Sequence, residues 1–470
     1  MNGRVFVGAI AAVFILTGVA SAKQGPWILP AKTIHEKNTI DSNASPEVAV
    51  GPGRTATAAW LAVDRGDPAD ETDDRHLVRV ATRKPSRSFG APATLASFPM
   101  SAGSFDRLRE VHVVAGPGGT LVTWVKVSEE DSVVQARFRP KGGHFGPIRD
   151  ISHDPVYYLT ASAAGANGGF AVSWSNSDGV VQVTVRRPHR GFSTPVDVSG
   201  PGPASPAFSD IAVDSNGNVV VVWRRDDFGA GPTTLHVARL PRGDWHGNQQ
   251  VIARGSTDEA GEIEDPRIAV TPDRTVVVVW SQVEAGGSRI YSRVRRAGSI
   301  FSRRVPVSGS GDSRGLANDS PELAVDGDGL VSIVFRKKFE YPGEYGKEPY
   351  RTAYVATGKP GGKFRLRRLG GGLGHSAIDP QVTASRNGTS TVLWSEGAGS
   401  GPLAVHSATR LPGGKYSAKP RSRPLADGYI SEVSVASSGD GNAVAVWRKS
   451  DGDSRYIKTA STRAWKRGGL

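Results

Sequence analysis

Carboxylates cluster in two predicted loops of this chain, residues 63–75 and 336–351, and the second, longer loop also contains tyrosines. Aromatic rings offer flat apolar faces on which a sugar ring can stack, and carboxylates accept hydrogen bonds from sugar hydroxyls. We therefore predict a ligand-binding set that consists of Asp67, Asp73, Tyr341, Glu344 and Tyr345. Ordinary solvent-exposed loops have a similar composition, and this alternative stays open at the level of sequence.

The same carboxylates could support glycoside hydrolysis, which uses two acidic side chains that flank the scissile bond. Glu344 with Asp67 or Asp73 would supply such a pair, but a sequence does not give the distance between them. The chain has no cysteine, which excludes thiol catalysis and cysteine-ligated zinc, and it has no HExxH zinc motif or glycine-rich phosphate loop. We predict a non-catalytic binding or scaffold protein with no catalytic residue, metal or cofactor. A sialidase-like glycoside hydrolase is the alternative.

A sequence repeat predicts the elements that carry these residues. Eight segments each combine an apolar strand, a turn rich in Asp, Gly, Asn or Pro, and a second apolar strand that ends on an aromatic residue. These aromatic residues lie 49 to 64 residues apart and are Trp60, Trp124, Trp174, Trp223, Trp280, Phe335, Trp394 and Trp447. Such a spacing is typical of propellers and other repeat architectures. We expect the aromatic side chains to fill the core between neighbouring repeats.

Each repeat continues with a third strand that ends in basic residues and a fourth strand after a Gly- or Pro-marked turn. This predicts an all-β fold, a single β-propeller over residues 23–470 with eight four-stranded blades. The eighth repeat lacks its fourth strand, and an extra strand at about 26–37 precedes the first repeat. Pairing of these N-terminal and C-terminal strands would complete the last blade and remove two exposed edges. Seven blades with one degenerate copy is the alternative, and the third repeat is the most divergent.

Residues 1–22 are typical of a secretory signal peptide, with Arg4, an apolar stretch at 5–19 and the small-residue sequence Ala20-Ser21-Ala22. No second apolar segment of membrane-spanning length follows in the sequence. We therefore expect a secreted or cell-surface-associated monomer without stable membrane insertion after signal cleavage. An uncleaved N-terminal anchor is the alternative.

Basic residues exceed acidic ones, 58 against 45, and the net charge is +13. Many of them fall in third and fourth strands, as at 293–296, 303–304 and 365–368. These positions predict a basic, solvated rim that protects outer strand edges from pairing and attracts polyanions. The expected partner is a glycan or an acidic cell-surface polymer. Nucleic acid is not expected, because secretion separates the protein from it and no nucleic-acid-binding motif occurs.

The repeat pattern PxxAVxxxGxxxVVW, followed by segments such as 447–452, resembles secreted repeat proteins of actinobacteria. The resemblance covers nearly all of the chain after residue 22 and implies an exported bacterial propeller, without implying an activity. A more distant likeness to sialidases concerns the fold alone. Their Asp-box pattern SxDxGxxW is not matched, because Gly217 lies six residues before Trp223. No sialidase catalytic residue is carried over.

Overall fold

The computed structural model describes residues 27–37, 45–65, 74–100, 107–129, 131–200, 209–226, 231–243, 249–255, 261–284, 287–308, 317–343, 346–399, 401–416, 424–452 and 454–462. They form β-strands joined by turns, with one short 3-10 turn at Pro241–Gly243. The prediction of an all-β fold is therefore confirmed. The predicted signal peptide lies outside the described residues. In the part of the chain that is described, no helix is long and apolar enough to cross a membrane.

Four-stranded antiparallel sheets follow one another along the chain and pair their strands in sequence order. After β1 (Lys32–Lys37) come β2 (Glu47–Val50), β3 (Ala56–Asp64), β4 (Arg75–Arg83) and β5 (Ala93–Pro99). The second sheet contains β6 (Arg107–Gly116), β7 (Gly119–Val127), β8 (Ser132–Pro140) and β9 (Arg149–Asp150). The third contains β10 (Val156–Ala164), β11 (Phe170–Asn176), β12 (Val181–Arg186) and β13 (Val196–Asp197).

The same pattern continues through the next three sheets. The fourth contains β14 (Ser209–Val213), β15 (Val219–Arg225), β16 (Thr234–Leu240) and β17 (Gln249–Arg254). The fifth contains β18 (Ile263–Val270), β19 (Val276–Glu284), β20 (Gly287–Arg295) and β21 (Val305–Pro306). The sixth contains β22 (Ala317–Val325), β23 (Val331–Gly343), β24 (Gly346–Gly358) and β25 (Arg365–Gly370).

The remaining strands form one seven-stranded sheet that includes the first and the last described strand. In chain order they are β26 (Ser376–Ala384), β27 (Ser390–Gly397), β28 (Leu403–Arg410), β29 (Ala426–Ser437), β30 (Ala443–Asp451) and β31 (Ser454–Ser461), with β1 beside β31. The start of β29 pairs with β28 and its longer remainder pairs with β30. Strand β1 pairs with β31, for example Lys37 with Arg455, and Trp27 forms a bridge to Thr462.

We call the first strand of each repeat its inner strand; these are β2, β6, β10, β14, β18, β22, β26 and β29. Each inner strand contacts the next one along the chain, and β29 also contacts β2. Four-stranded antiparallel sheets with adjacent first strands are the arrangement of a β-propeller, as predicted. Since strand directions alternate within a sheet, the second-to-third and fourth-to-first connections lie at one end of the sheets. We call this the loop end, and we call the opposite end the hairpin end.

The core lies between neighbouring sheets, where the repeat aromatics are packed. All eight of these side chains are at most 1% exposed. Around Trp60, for example, the cluster includes Val111 of the following sheet and Val446 of the seven-stranded sheet. Second strands such as β15 and β19 are buried on both faces over their valine runs, as their continuous apolar sequence predicts.

The hairpins between first and second strands are closed by Asp side chains. Asp326 Oδ1 accepts hydrogen bonds from the backbone N–H groups of Asp328 and Leu330, at 3.0 and 2.9 Å. Asp214 makes the equivalent contacts with Asn216 and Asn218, each at 2.8 Å. These acidic residues therefore stabilise turns, as their recurrence in the repeat predicts.

Candidate functional site

Four of the five predicted ligand-binding residues, Asp67, Asp73, Glu344 and Tyr345, lie outside the described residues. Tyr341 belongs to β23, but its side chain lies outside the described set. Their role in binding stays a prediction.

The prediction of a long loop over 336–351 is wrong, because β23 and β24 continue through most of it as an extended hairpin. Phe339 pairs with Tyr350 across the two strands, and their rings stack at 5.3 Å. The ammonium of Lys337 lies 5.4 Å from the Phe339 ring centroid. Cross-strand aromatic pairs of this kind stabilise a ladder, which explains why the segment is a strand rather than a loop.

A β-bulge recurs near the start of the inner strands and turns polar side chains towards the loop end. At the bulge, one residue adopts a positive φ between 45° and 56°; these residues are Glu110, Asp265, Ser320, Asp379 and Glu432. Strand register shifts at the same positions. A bulge redirects side chains that a regular strand would alternate between faces. In these five repeats the bulge therefore carries a polar or acidic residue close to the loop end.

Two residues after the bulge position, polar side chains connect neighbouring inner strands. Glu47 Oε2 accepts a hydrogen bond from Val113 N at 3.0 Å. In the same register, Asp210 Oδ2 accepts from Ile268 N at 2.9 Å and Ser434 Oγ accepts from Val48 N at 3.2 Å. The residues at this position are all partly exposed, and they are Glu47, His112, Ser162, Asp210, Arg267, Glu322, Gln381 and Ser434. The equal register shows that these inner strands start at the same end.

A charged cluster lies where β2 and β6 approach the loop end. His112 Nδ1 lies 2.8 Å from Glu47 Oε1. Burial opposes protonation of His112, but Glu47 and Glu110 outweigh it, so its pKa is raised. Burial raises the pKa of Glu110, although Arg109 and a 2.6 Å hydrogen bond from Leu159 N oppose this shift. Glu47, Glu110 and His112 are thus electrostatically connected.

Two consecutive exposed tyrosines lie beside this cluster at the start of β10. Tyr157 is 54% exposed and Tyr158 is 43% exposed, with the rings edge to face at 4.5 Å between centroids. Arg109 Nη2 donates hydrogen bonds to the carbonyl oxygens of Tyr157 at 2.5 Å and Val156 at 3.3 Å. The Arg109 guanidinium also lies 5.9 Å from the Tyr158 ring centroid. We call Tyr157 and Tyr158 the tyrosine platform.

The platform was missed at the level of sequence, although a signal for it exists. The third repeat places two consecutive tyrosines immediately before the segment that matches the other repeats. The structure shows that both tyrosine side chains are exposed at the loop end.

The arrangement offers aromatic faces, a guanidinium and two carboxylates within one region of the loop end. A contiguous exposed apolar surface can mark a binding site. Among the described residues no group of three or more His, Asp or Glu side chains could hold a metal ion. The side chains of this region can take part in ring stacking, hydrogen bonding and proton exchange.

No protein-family model and no curated protein sequence matches this chain. Several solved structures resemble it at low identity. A lectin from Burkholderia pseudomallei is 12% identical, with 79% of this chain and 98% of the lectin covered and a TM-score of 0.46. An alpha-L-arabinanase from Penicillium chrysogenum, solved with arabinobiose, is 12% identical over 66% of this chain and 96% of the arabinanase, with a TM-score of 0.39.

A protein of unknown function from Dyadobacter fermentans covers more of the chain. It is 11% identical over 93% of this chain and 99% of its own length, and the TM-score is 0.38. At these identities and TM-scores, no activity or ligand transfers from these proteins to this one.

Proposed function

We propose that the protein is a carbohydrate-binding propeller and that the tyrosine platform is the surface on which a sugar ring stacks. The observation that carries this proposal is the exposed Tyr157–Tyr158 pair, held in place by Arg109. Aromatic rings supply the apolar contact, and the neighbouring Glu110 supplies an acceptor for hydroxyl groups. Tyr341, Tyr345, Glu344, Asp67 and Asp73 stay proposed additional contacts at the same end.

The proposal extends to the architecture and the location of the protein. Counting the two parts of β29 separately divides the strands into eight blades, and pairing of β1 with β31 would close the ring. Export through the segment 1–22 would place a monomer outside the cell. The resemblance to secreted actinobacterial repeat proteins supports this location, which stays a prediction.

The second candidate function is glycoside hydrolysis, and one observation favours it. Burial raises the pKa of Glu110, and a raised pKa is what a carboxylic acid needs to donate a proton near neutral pH. Turnover measured in the parent protein and in Glu110→Gln separates the two functions. A hydrolase would cleave the bound glycan, and Glu110→Gln would bind it without cleaving it. A binding module would show no turnover in either protein, and the variant would retain its affinity.

The first experiment is a glycan array with the purified protein, followed by calorimetry on the best ligand. Tyr157→Ala and Tyr158→Ala are each expected to weaken binding by about tenfold, which corresponds to about 1.4 kcal/mol. Ile300→Ala is the matched control, since Ile300 is 82% exposed and lies in the connection between β20 and β21 at the hairpin end. Its affinity should equal that of the parent protein.

Two results would contradict a sugar site at the platform. One is unchanged affinity of both tyrosine variants for a bound glycan. The other is binding that disappears between about 0.05 M and about 0.5 M salt, because screening of this size removes attraction between exposed charges and leaves stacking intact.

A further inference from the structure

A second concave site lies away from the platform, between the fourth and fifth sheets. It is a cleft of about 450 Å³ bounded by the outer strand β17, the end of β19 and the third strand β20. This volume is in the range of pockets that hold small ligands. The charged and polar side chains that line it are Arg254, Gln282, Glu284, Arg293 and Arg304. We call it the arginine cleft.

Positive charge exceeds negative charge in the arginine cleft. Three arginines line it, and Glu284 is the one acidic side chain among its described lining residues. Glu284 already has two basic neighbours, Arg289 Nε at 3.4 Å and Arg304 Nη2 at 3.6 Å. Arg254 is exposed at the end of β17. Among the described residues that line the cleft, positive charge is therefore in excess, and Glu284 does not neutralise it.

Arg304 is held in a defined orientation inside this cleft. Its Nη1 donates to Gln282 Oε1 at 3.1 Å, and its guanidinium lies 4.4 Å from the centroid of the Tyr291 ring. Gln282 Oε1 also accepts a hydrogen bond from Trp280 Nε1 at 3.2 Å. A guanidinium has five N–H donors, so these contacts leave donors for a ligand. The side chain is 46% exposed, which makes such donors accessible.

Two of these arginines, Arg293 and Arg304, are close enough to repel one another. Burial lowers the pKa of Arg293, and the charge of Arg304 lowers it further. Arg293 donates a hydrogen bond to the Ile252 carbonyl oxygen of the neighbouring sheet, which fixes it at the cleft. An anion placed between the arginines would relieve this repulsion and would gain charge-assisted hydrogen bonds.

We propose that the arginine cleft binds the carboxylate of an acidic sugar unit, as a second site separate from the tyrosine platform. Arg304 and Arg254 contact the carboxylate, because a planar guanidinium matches its two oxygens. Gln282 and Glu284 hold Arg304 at the cleft and leave its remaining donors to the carboxylate. This proposal is more specific than the attraction to polyanions that the sequence predicts, because it names one site and one chemical group that binds there.

The test is calorimetry with a trimer of galacturonic acid, its neutral galactose counterpart and inorganic sulfate. The galacturonate trimer is expected to bind with a stoichiometry of one, and Arg304→Ala is expected to weaken it by about tenfold or more. Arg303→Ala is the matched control, since Arg303 is the exposed neighbouring arginine and is not part of the cleft lining. It removes the same charge and should change the affinity by less than about twofold.

Further variants distinguish a loss of binding from a loss of folding, and they distinguish the two sites from each other. Arg304→Lys keeps the charge without the planar fork, and Arg254→Ala changes an exposed position; both should weaken the galacturonate trimer while leaving the thermal unfolding temperature unchanged. Glu284→Gln should leave binding intact or strengthen it. Tyr157→Ala should not affect this ligand, so failure of one site is distinguishable from failure of the other.

Three outcomes would overturn the proposal. Equal losses in Arg303→Ala and Arg304→Ala would show a general field effect. Equal affinity for sulfate and for the galacturonate trimer would show an inorganic anion site. Absence of saturable galacturonate binding, or equal binding of the neutral trimer, would exclude recognition of an acidic sugar.

Discussion

At the scale of single residues, His112 shows how the fold gives a side chain its chemistry. Burial alone would lower the pKa of an imidazole, but the neighbouring carboxylates of Glu47 and Glu110 raise it. The Glu47 contact crosses from one sheet to the next, at 2.8 Å. Protonated His112 therefore stabilises the folded chain.

His112→Gln is expected to change the pH dependence of stability. The folded pKa is raised, so the stabilisation by His112 is fully present below the unfolded value of about 6.5 and is lost as the pH rises through the folded value. The free energy of unfolding of the parent protein should therefore fall more steeply with pH over this window than that of His112→Gln. Urea unfolding at a series of pH values measures this difference.

His406 supplies a comparison of opposite sign. Burial lowers its pKa, and its ring stacks on Trp394 at 5.6 Å. Protonation of His406 therefore destabilises the fold, and His406→Gln should remove a component of stability that increases with pH. If the free energy of unfolding depends on pH equally in the parent protein and in His112→Gln, the raised pKa of His112 is contradicted.

At the scale of elements, arginines of the third strands connect neighbouring sheets. Arg139 donates to the Oγ1 atoms of Thr57 and Thr82 in the preceding sheet, both at 2.7 Å. Arg186 lies 3.5 Å above the Phe138 ring, and burial lowers the pKa of Arg83 to about 10. The prediction that basic residues of these strands form a solvated rim is therefore wrong for such residues. Long side chains bury their stems between sheets and use their donors there.

The clearest connection of this type is the buried ion pair between Asp326 and Arg410. Their side chains are 1% and 3% exposed and lie 2.5 Å apart. Arg410→Met is expected to lower the free energy of unfolding by about 3–5 kcal/mol, because it leaves a buried carboxylate without its partner. Asp326→Asn in the same chain should recover part of this loss, since Asn keeps the turn acceptor and removes the charge. Denaturant unfolding measures both.

Arg54→Met is the matched control for this prediction. Arg54, in the hairpin between β2 and β3, pairs with Asp440, in the hairpin between β29 and β30, but both side chains are about one-third exposed. An exposed pair contributes about 0–1 kcal/mol, so this variant should be nearly as stable as the parent. Similar losses for Arg54→Met and Arg410→Met would show that burial does not decide the effect.

At the scale of the whole molecule, the first and the last described strand, β1 and β31, pair in one sheet. Trp27 is 5% exposed and belongs to a cluster with Ile430 and Trp447. It lies next to the pairing of β1 with β31. An unpaired β31 would present a free strand edge, which promotes association with other chains.

Trp27→Ala is expected to destabilise the protein by about 3–5 kcal/mol, the usual cost of removing a buried tryptophan side chain. Thermal unfolding combined with light scattering measures the loss of stability and any association of exposed edges. Lys32→Ala is the control, because Lys32 is an exposed residue of β1. If Trp27→Ala unfolds at the parent temperature without association, burial of Trp27 is not needed to keep β1 paired with β31.

The sequence by itself determined the repeat, the strands and the turns, because these depend on local patterns. The terminal aromatics, the valine runs such as Val219–Val222 and the turn residues Asp214 and Asp326 occupy the structural roles that the sequence predicts. Such positions recur in each repeat, so their meaning is visible without tertiary structure.

Only the tertiary structure decided which polar side chains meet. Glu47 and His112 are separated by 65 residues, and Arg109 and Tyr157 by 48, yet each pair is in contact. The arginine cleft likewise joins residues of two sheets. These contacts depend on how neighbouring sheets pack, which the sequence of one repeat does not specify. The sequence shows the tyrosine pair of the platform but not its exposure, since exposure is a property of the packed chain.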